Sequence, residues 1–453
     1  MTARAVLGLF ALHSLYLASG SGVLWALRGW SRTWTLVRLL GLAYLLGVAT
    51  LGVLWTLLLV VGVPFGPLTI LGTAGAVGVG SLVVGRRRGF RLDRPGAASV
   101  GAPALVALGA FAGLGVYLAA LFEAARFQGL FSFDGWAFWV TRGKAVYYFH
   151  ALDVQVFREV PHPSYPPVIP ILDAAAFHAM GSADAVTLHV QYWLFAVGFV
   201  AAAAGMLLRR VPAWILWPSL ALALVLPRMR SHVLAAQADL PLDYLVVAAA
   251  ILIALWILDR RAWRLHACAL LLACGVLVKR EGLVLACCVL VAGLVATLPT
   301  RRYAWPRLIA VGTAVAAATL PWRLWYRAQG IEGETTSAWV GDVFSDRTVD
   351  SLRLAVDVLA DADRWSLVPT IGLAAIVLAA VWGRRSHAAF AGTLVLLLTL
   401  AGASTSVVFP EIGVTDDEGV NPIVRLTAGT VLAISCLTPL LLAGVWAGRQ
   451  QGQ

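Results

Sequence analysis

Apolar runs of about 20 residues, the length that crosses a bilayer core as a helix, recur along most of the chain and alternate with short polar breaks. Runs and breaks together predict about thirteen helices, near 5–27, 38–62, 66–85, 101–122, 186–208, 212–227, 238–258, 265–278, 282–299, 305–321, 367–383, 388–409 and 423–447. A transmembrane β-barrel needs short segments of alternating polarity, which are absent here. The expected fold class is all-α, a polytopic transmembrane helical bundle. Two further segments read as helices lying at the membrane surface. In 346–361, Val349, Leu352, Val356 and Leu359 share one helical face, while Asp350, Arg353, Asp357 and Asp361 share another. The stretch Pro167–Met180 is too short to span and follows a proline cluster.

The polar breaks sort onto two faces. One collects Arg28, Arg32, Arg38, the group from Arg86 to Arg94, Arg209, Arg210, Arg260, Arg261, Arg264, Arg301, Arg302, Arg307, Arg384, Arg385 and Arg449, with only Asp93 and Asp259 as acids. By the positive-inside rule this face is cytoplasmic. The N-terminus then lies outside, the C-terminus inside, and every long polar segment (123–185, 322–366, 410–422, with a turn at 228–237) falls on the outer face of the cell membrane. No internal repeat of 20–50 residues is visible. Residues 1–100 form a three-helix region without an evident role, and 101–453 hold the polar outer segments.

Composition agrees: 60% of residues are hydrophobic and the net charge is +11, with a mean hydropathy of +0.84. In such a chain the charge reports topology, not nucleic-acid binding. Cys268, Cys274, Cys287, Cys288 and Cys436 all lie in apolar runs with neither disulfide nor metal spacing. His13, His189, His266 and His387 are scattered singly, and there is no phosphate-binding glycine loop or nucleophile elbow. The first apolar stretch runs to Leu27 without a cleavage site, so a cleavable signal is not expected.

Chemistry concentrates in Phe131–Pro170, which is polar, aromatic and proline-rich between apolar runs. Asp134, among Phe131, Phe133, Trp136, Phe138 and Trp139, is expected to be partly desolvated and so a useful base. Of 34 basic residues only Lys144 and Lys279 are lysine, which suggests that these two positions need a compact ammonium, suited to phosphate. His162-Pro163-Ser164-Tyr165-Pro166-Pro167 makes a rigid turn carrying an imidazole and a phenol. Asp239 stands at the outer entry of a span, where it also suits a helix N-cap. Lys279-Arg280-Glu281-Gly282 joins two short spans. Its cations are placed to hold a phosphate, or else to pair with Glu281. Arg425, just inside the last span, is a further phosphate contact or a side chain snorkelling to the interface.

The ordered set Asp134-x4-Trp139-x2-Arg142-x-Lys144, His162-Pro-x-Tyr165-Pro, Asp239-Leu-Pro and Lys279-x-Glu281-Gly resembles the GT-C superfamily of integral-membrane glycosyltransferases. Protein O-mannosyltransferases, lipid A aminoarabinose transferases and arabinosyltransferases are more distant relatives in it. The resemblance implies a GT-C-like fold, a sugar donor on a polyprenyl phosphate carrier, and inverting transfer to an envelope glycan, glycolipid or protein. It implies that Asp134 is the catalytic base. Lys279, Lys144 and Arg425 would bind the lipid phosphate, His162 and Tyr165 would line the site, and Trp139, Arg142, Asp239, Arg280 and Glu281 would complete the donor site. Gly135 stands where many members have a second acid, which puts a divalent cation in question, and Arg280 stands where Asn is expected. Two other readings remain: a transporter or flippase of lipid-linked saccharides, which calls for charges inside the spans and an inverted repeat, and an O-antigen-type polymerase or ligase.

Overall fold

The computed structural model describes residues 2–85, 102–332, 346–408 and 422–451. The arginines at 86–94 and most of the 410–422 segment lie outside these ranges. The described residues form helices joined by turns and short loops, without strands. In order the helices are α1 (Ala3–Ala26), α2 (Thr33–Arg38), α3 (Leu40–Val60), α4 (Pro67–Gly85), α5 (Ala102–Phe127), α6 (Val140–Phe149), α7 (Val154–Glu159) and α8 (Val168–Met180). There follow α9 (Ala185–Leu207), α10 (Ala213–Val225), α11 (Pro227–Val233), α12 (Asp239–Asp259), α13 (Ala262–Val278), α14 (Glu281–Ala296), α15 (Arg301–Ala318) and α16 (Leu320–Ala328). The last are α17 (Asp346–Ala360), α18 (Ala362–Trp365), α19 (Val368–Trp382), α20 (Arg385–Val408) and α21 (Pro422–Gln451).

Each of the thirteen expected apolar segments is helical. Among the described residues, nine helical stretches are long and apolar enough to cross a membrane, while α10, α13, α14 and α19 are shorter, at 13–17 residues. The protein is therefore a multi-pass helical membrane protein. Side chains set many helix ends. Thr2, Asp153, Asp184 and Asp361 cap α1, α7, α9 and α18 by accepting from backbone N–H groups of the first turn. Gly181 stops α8 in the left-handed conformation at φ +70°.

α12 is the spine. Its membrane-length window is wholly buried, and α9, α13, α14, α20 and α21 pack around it. A helix apolar on all sides has no solvent face to offer, so it sits inside. Its acids are Asp239 and Asp243 in the first two turns and Asp259 at the other end. At one end Asp259 gathers Arg264 at 2.8 Å, Arg210 at 3.3 Å and Arg261 at 3.5 Å. At the other stands Asp239.

One of the two expectations about surface helices changes. α8 does not lie on the bundle's surface but is buried along nearly its whole length between α1, α3 and α6. Its one acid, Asp173, is satisfied inside by Gln191 Nε2 at 2.8 Å and Tyr192 Oη at 3.2 Å, which removes the penalty for burying it. In α17 the inward face is Ser351, Ala355 and Val358, packed toward α20 and α21, whereas Val349, Leu352 and Val356 are exposed. An apolar stripe left open in this way suits contact with lipid.

The N-terminal helices are built into the bundle, since α1 and α3 pack on α8 and α9. Their crossing depends on small residues, as expected where backbones meet inside a membrane. A Cβ on Gly20 would stand 1.7 Å from the Ala43 carbonyl oxygen, and one on Gly47 would stand 1.8 Å from that of Tyr16. Backbone cannot give way as a side chain can. Gly47→Ala is expected to cost at least the ~1–3 kcal/mol of ordinary overpacking. Gly75→Ala, which meets nothing within 4 Å, should be neutral or slightly stabilising. Thermal melting of the purified variants measures both.

Candidate functional site

The segment after α5 begins with Asp134 and a π-helical turn at Gly135–Trp139, in which the Val140 N–H donates to the Gly135 carbonyl five residues back. The wider turn leads into α6 with Phe138 and Trp139 buried and Trp136 outside. Gly135 is required by packing: a Cβ there would lie 2.9 Å from the Ala235 carbonyl oxygen and 3.2 Å from that of Ala236. Ser132 Oγ donates to Gln237 Oε1 at 2.9 Å, tying the same stretch to the lead-in of α12. Asp134 is thereby delivered to the charged end of the spine.

There the charges form an alternating chain. Asp134 Oδ2 accepts from Arg425 Nη2. The Arg425 Nε donates to Asp239 Oδ2 at 3.0 Å. Asp239 Oδ1 accepts from Lys279 Nζ at 2.8 Å, and Lys279 reaches Glu281 Oε1 at 3.3 Å. Tyr165 Oη also donates to Glu281 Oε1, at 3.2 Å. Four parts of the chain meet here: the Phe131–Pro170 segment, α12, the α13–α14 turn and α21.

Asp239 is only 5% exposed and has both oxygens engaged by cations. It is the first residue of α12, whose N-cap is Ala238, so the N-cap expectation gives way to an ion-pair role. Lys279 breaks the helical path with an extended backbone at φ −153°, ψ 155°. Gly282 then lets α14 fold back, because a Cβ at that position would stand 2.2 Å from the Gly275 carbonyl oxygen. Burial disfavours the Lys279 ammonium, but Asp239, then Glu281 and Tyr165, outweigh it and hold its pKa above the ordinary lysine value. The ammonium is charged, yet it is committed to carboxylates and does not stand open as a phosphate clamp. The same holds for Arg425.

Several expected ligand residues are scaffold. Arg142 is fully buried, and its Nη2 donates to the carbonyls of Pro161 and His162 at 2.8 Å each and of Val160 at 3.3 Å. Phe157 lies 4.9 Å from its guanidinium carbon. Arg142 therefore shapes the His162 turn and is not exposed to a donor. Trp139 is buried with its ring 5.7 Å from that of Tyr165. His162, at φ +58°, stacks on Tyr165 at 4.7 Å. Arg280 Nη1 donates to Ser164 Oγ at 3.4 Å, and Trp322 Nε1 to the Ser164 carbonyl at 3.0 Å. Lys144 has no ion pair among the described residues and does not join the cluster.

Asp134 departs from expectation in its surroundings. Phe131, Phe133 and Trp136 are exposed and Phe138 is buried elsewhere, so its principal neighbour is a guanidinium, not an apolar pocket. Its Oδ1 makes no hydrogen bond among the described residues, and the side chain is 17% exposed. Glu281 Oε2 is buried and likewise has no hydrogen-bond partner among the described residues. The carboxylates alternate with cations, and among the described residues no three His, Cys, Asp or Glu side chains converge. As arranged, these residues do not fit a divalent cation, because Arg425 already occupies the space against Asp134.

Sequence reasoning missed Asp243, one turn inside α12 from Asp239. It is 5% exposed, and its Oδ1 would lie 2.4 Å from a Cβ on Gly429. The available signal was an acid four residues after Asp239 inside an apolar run. Comparison with family models, with curated proteins and with solved structures finds no match.

Removing one partner from a buried ion pair leaves an uncompensated charge, at about 3–5 kcal/mol. Lys279→Met, which exposes Asp239 and Glu281 to each other, should lower stability by that amount. Lys279→Met/Glu281→Gln should recover part of it. Denaturation of the purified variants checks the order.

Proposed function

We propose that the protein is a GT-C-like membrane glycosyltransferase with thirteen spans. It transfers a sugar from a polyprenyl-phosphate carrier to an envelope glycan, glycolipid or protein acceptor, with inversion. The arginine-rich end lies in the cytoplasm, and the Asp134 end works on the extracytoplasmic face of the cell membrane. The observation that carries this reading is the difference between the two linked aspartates. Asp239 has both oxygens held by cations, whereas Asp134 keeps Oδ1 without a hydrogen bond among the described residues. A single base opposite a leaving group, with cations for the departing phosphate, is what inverting transfer requires.

In this mechanism the donor phosphate competes with Asp134 for Arg425, which keeps its second contact to Asp239. Released from the guanidinium, Asp134 accepts the proton of the acceptor hydroxyl. The acceptor oxygen bonds to the anomeric carbon as the carbon–oxygen bond to phosphate breaks. Polyprenyl phosphate leaves with the electron pair, its charge stabilised by Arg425. Asp134 then returns its proton to water. Asp239 and Lys279 position Arg425 and the α13–α14 turn, and the His162–Tyr165 stack forms a wall.

A transporter of lipid-linked saccharides is the second reading, favoured by the buried acids Asp173 and Asp243 within helices. Membranes carrying wild type, Asp134→Asn or Lys279→Ala, supplied with a panel of radiolabelled polyprenyl-phosphate sugars, separate the two. Wild type should transfer label from one donor. Asp134→Asn should lose at least ~100-fold, the scale of general-base catalysis, with unchanged protein level. Retained turnover in Asp134→Asn overturns its role. Saturable movement of a lipid-linked saccharide without transfer supports the transporter.

A further inference from the structure

At the arginine-rich end, roughly 30 Å along α12 from Asp239 at the rise of a helix, lies a second polar feature. A cavity of about 240 Å³ opens between the ends of α9, α12, α19, α20 and α21. Leu258, Leu441 and neighbouring alanines form its apolar wall, and Arg209, Arg210, Arg384 and His387 supply its polar groups. The three arginines differ. Arg210 is drawn to Asp259 at 3.3 Å. Arg209 and Arg384 are exposed and have no ion-pair partner among the described residues.

His387 is the more telling group, being 5% exposed. Its Nε2 donates to the Ala254 carbonyl at 3.0 Å, which orients the ring, and its Nδ1 is buried without a partner. A buried polar atom of this kind normally has one. No water-sized group in the cavity reaches that atom, so the imidazole serves as wall and the charge comes from the arginines. Two unpaired guanidinium forks match phosphate oxygens in charge and geometry, and the apolar wall can receive glyceryl or acyl carbons.

We propose that this cavity binds a phosphate group, held between Arg209 and Arg384 with the His387 ring as part of its wall. The inference is independent of any chemistry at Asp134. Two sources share the ligand chemistry, a phospholipid headgroup and free phosphate.

The test uses the purified full chain in detergent, titrated with dioleoylphosphatidylglycerol, dioleoylglycerol or inorganic phosphate, with bound ligand read by native mass spectrometry. Arg209→Ala/Arg384→Ala is compared with Arg301→Ala/Arg302→Ala, which removes the same charge from exposed positions at the same end. The expected result is retention of phosphatidylglycerol by wild type and by the second double variant. Binding should be at least tenfold weaker in the first, whose monodispersity by size exclusion is unchanged. Competition by millimolar inorganic phosphate identifies free phosphate as the source, and no competition identifies the lipid headgroup. Either result upholds the site. Equal weakening in both double variants, or dioleoylglycerol bound as tightly as phosphatidylglycerol, overturns it. Should the first double variant fail to fold, the wild-type comparison of the two lipids alone decides.

Discussion

Asp239 held between Lys279 and Arg425 is the contact on which the charged end of the bundle depends. An isolated carboxylate at the end of a fully enclosed helix would carry a penalty of several kcal/mol. Paired on both oxygens, it becomes the joint of three helical layers: α12 through its own backbone, α13 and α14 through Lys279, and α21 through Arg425. Each cation has a second carboxylate, Glu281 for Lys279 and Asp134 for Arg425, so charge alternates along the cluster.

This alternation gives the cluster a direction. At its middle, Asp239 and Lys279 are engaged by opposite charges and nearly buried. At its outer end Asp134 has one contact and one open oxygen. A ligand carrying negative charge would meet Arg425 first, and the contact it displaces is the one that restrains Asp134. In the proposed reaction, the same linkage that stabilises the fold would keep Asp134 occupied until an anion arrives. The scaffold beneath is equally specific. Arg142 gathers the backbone carbonyls of residues 160–162, and Trp139 backs Tyr165. The His162–Tyr165 stack rests on both.

The opposite end of α12 uses the same physics with the signs in other proportions. Asp259, alone among arginines, draws in Arg264, Arg210 and Arg261. Arg209 and Arg384, without an ion-pair partner among the described residues, line a cavity that His387 also lines. One helix therefore carries a carboxylate at each end, saturated with cations at one and outnumbered at the other.

Much of this was legible in the chain itself. Apolar runs of span length determine helices because backbone polar groups in an apolar medium must pair within their own segment, and all thirteen segments are helical. The scarcity of lysine marked Lys279, and the acids and cations of four separated motifs pointed to Asp134, Asp239, Glu281 and Arg425. What the sequence could not decide was pairing. Whether Lys279 and Arg425 face carboxylates or stand open, whether Arg142 lies at the surface or beneath it, and whether Pro167–Met180 floats or is enclosed all depend on what lies opposite in space. Hydrophobic periodicity reports how a helix is solvated, not which neighbour supplies the partner. Asp239 and Arg425 are 186 residues apart, and only the packing of α21 against α12 brings them within a hydrogen bond.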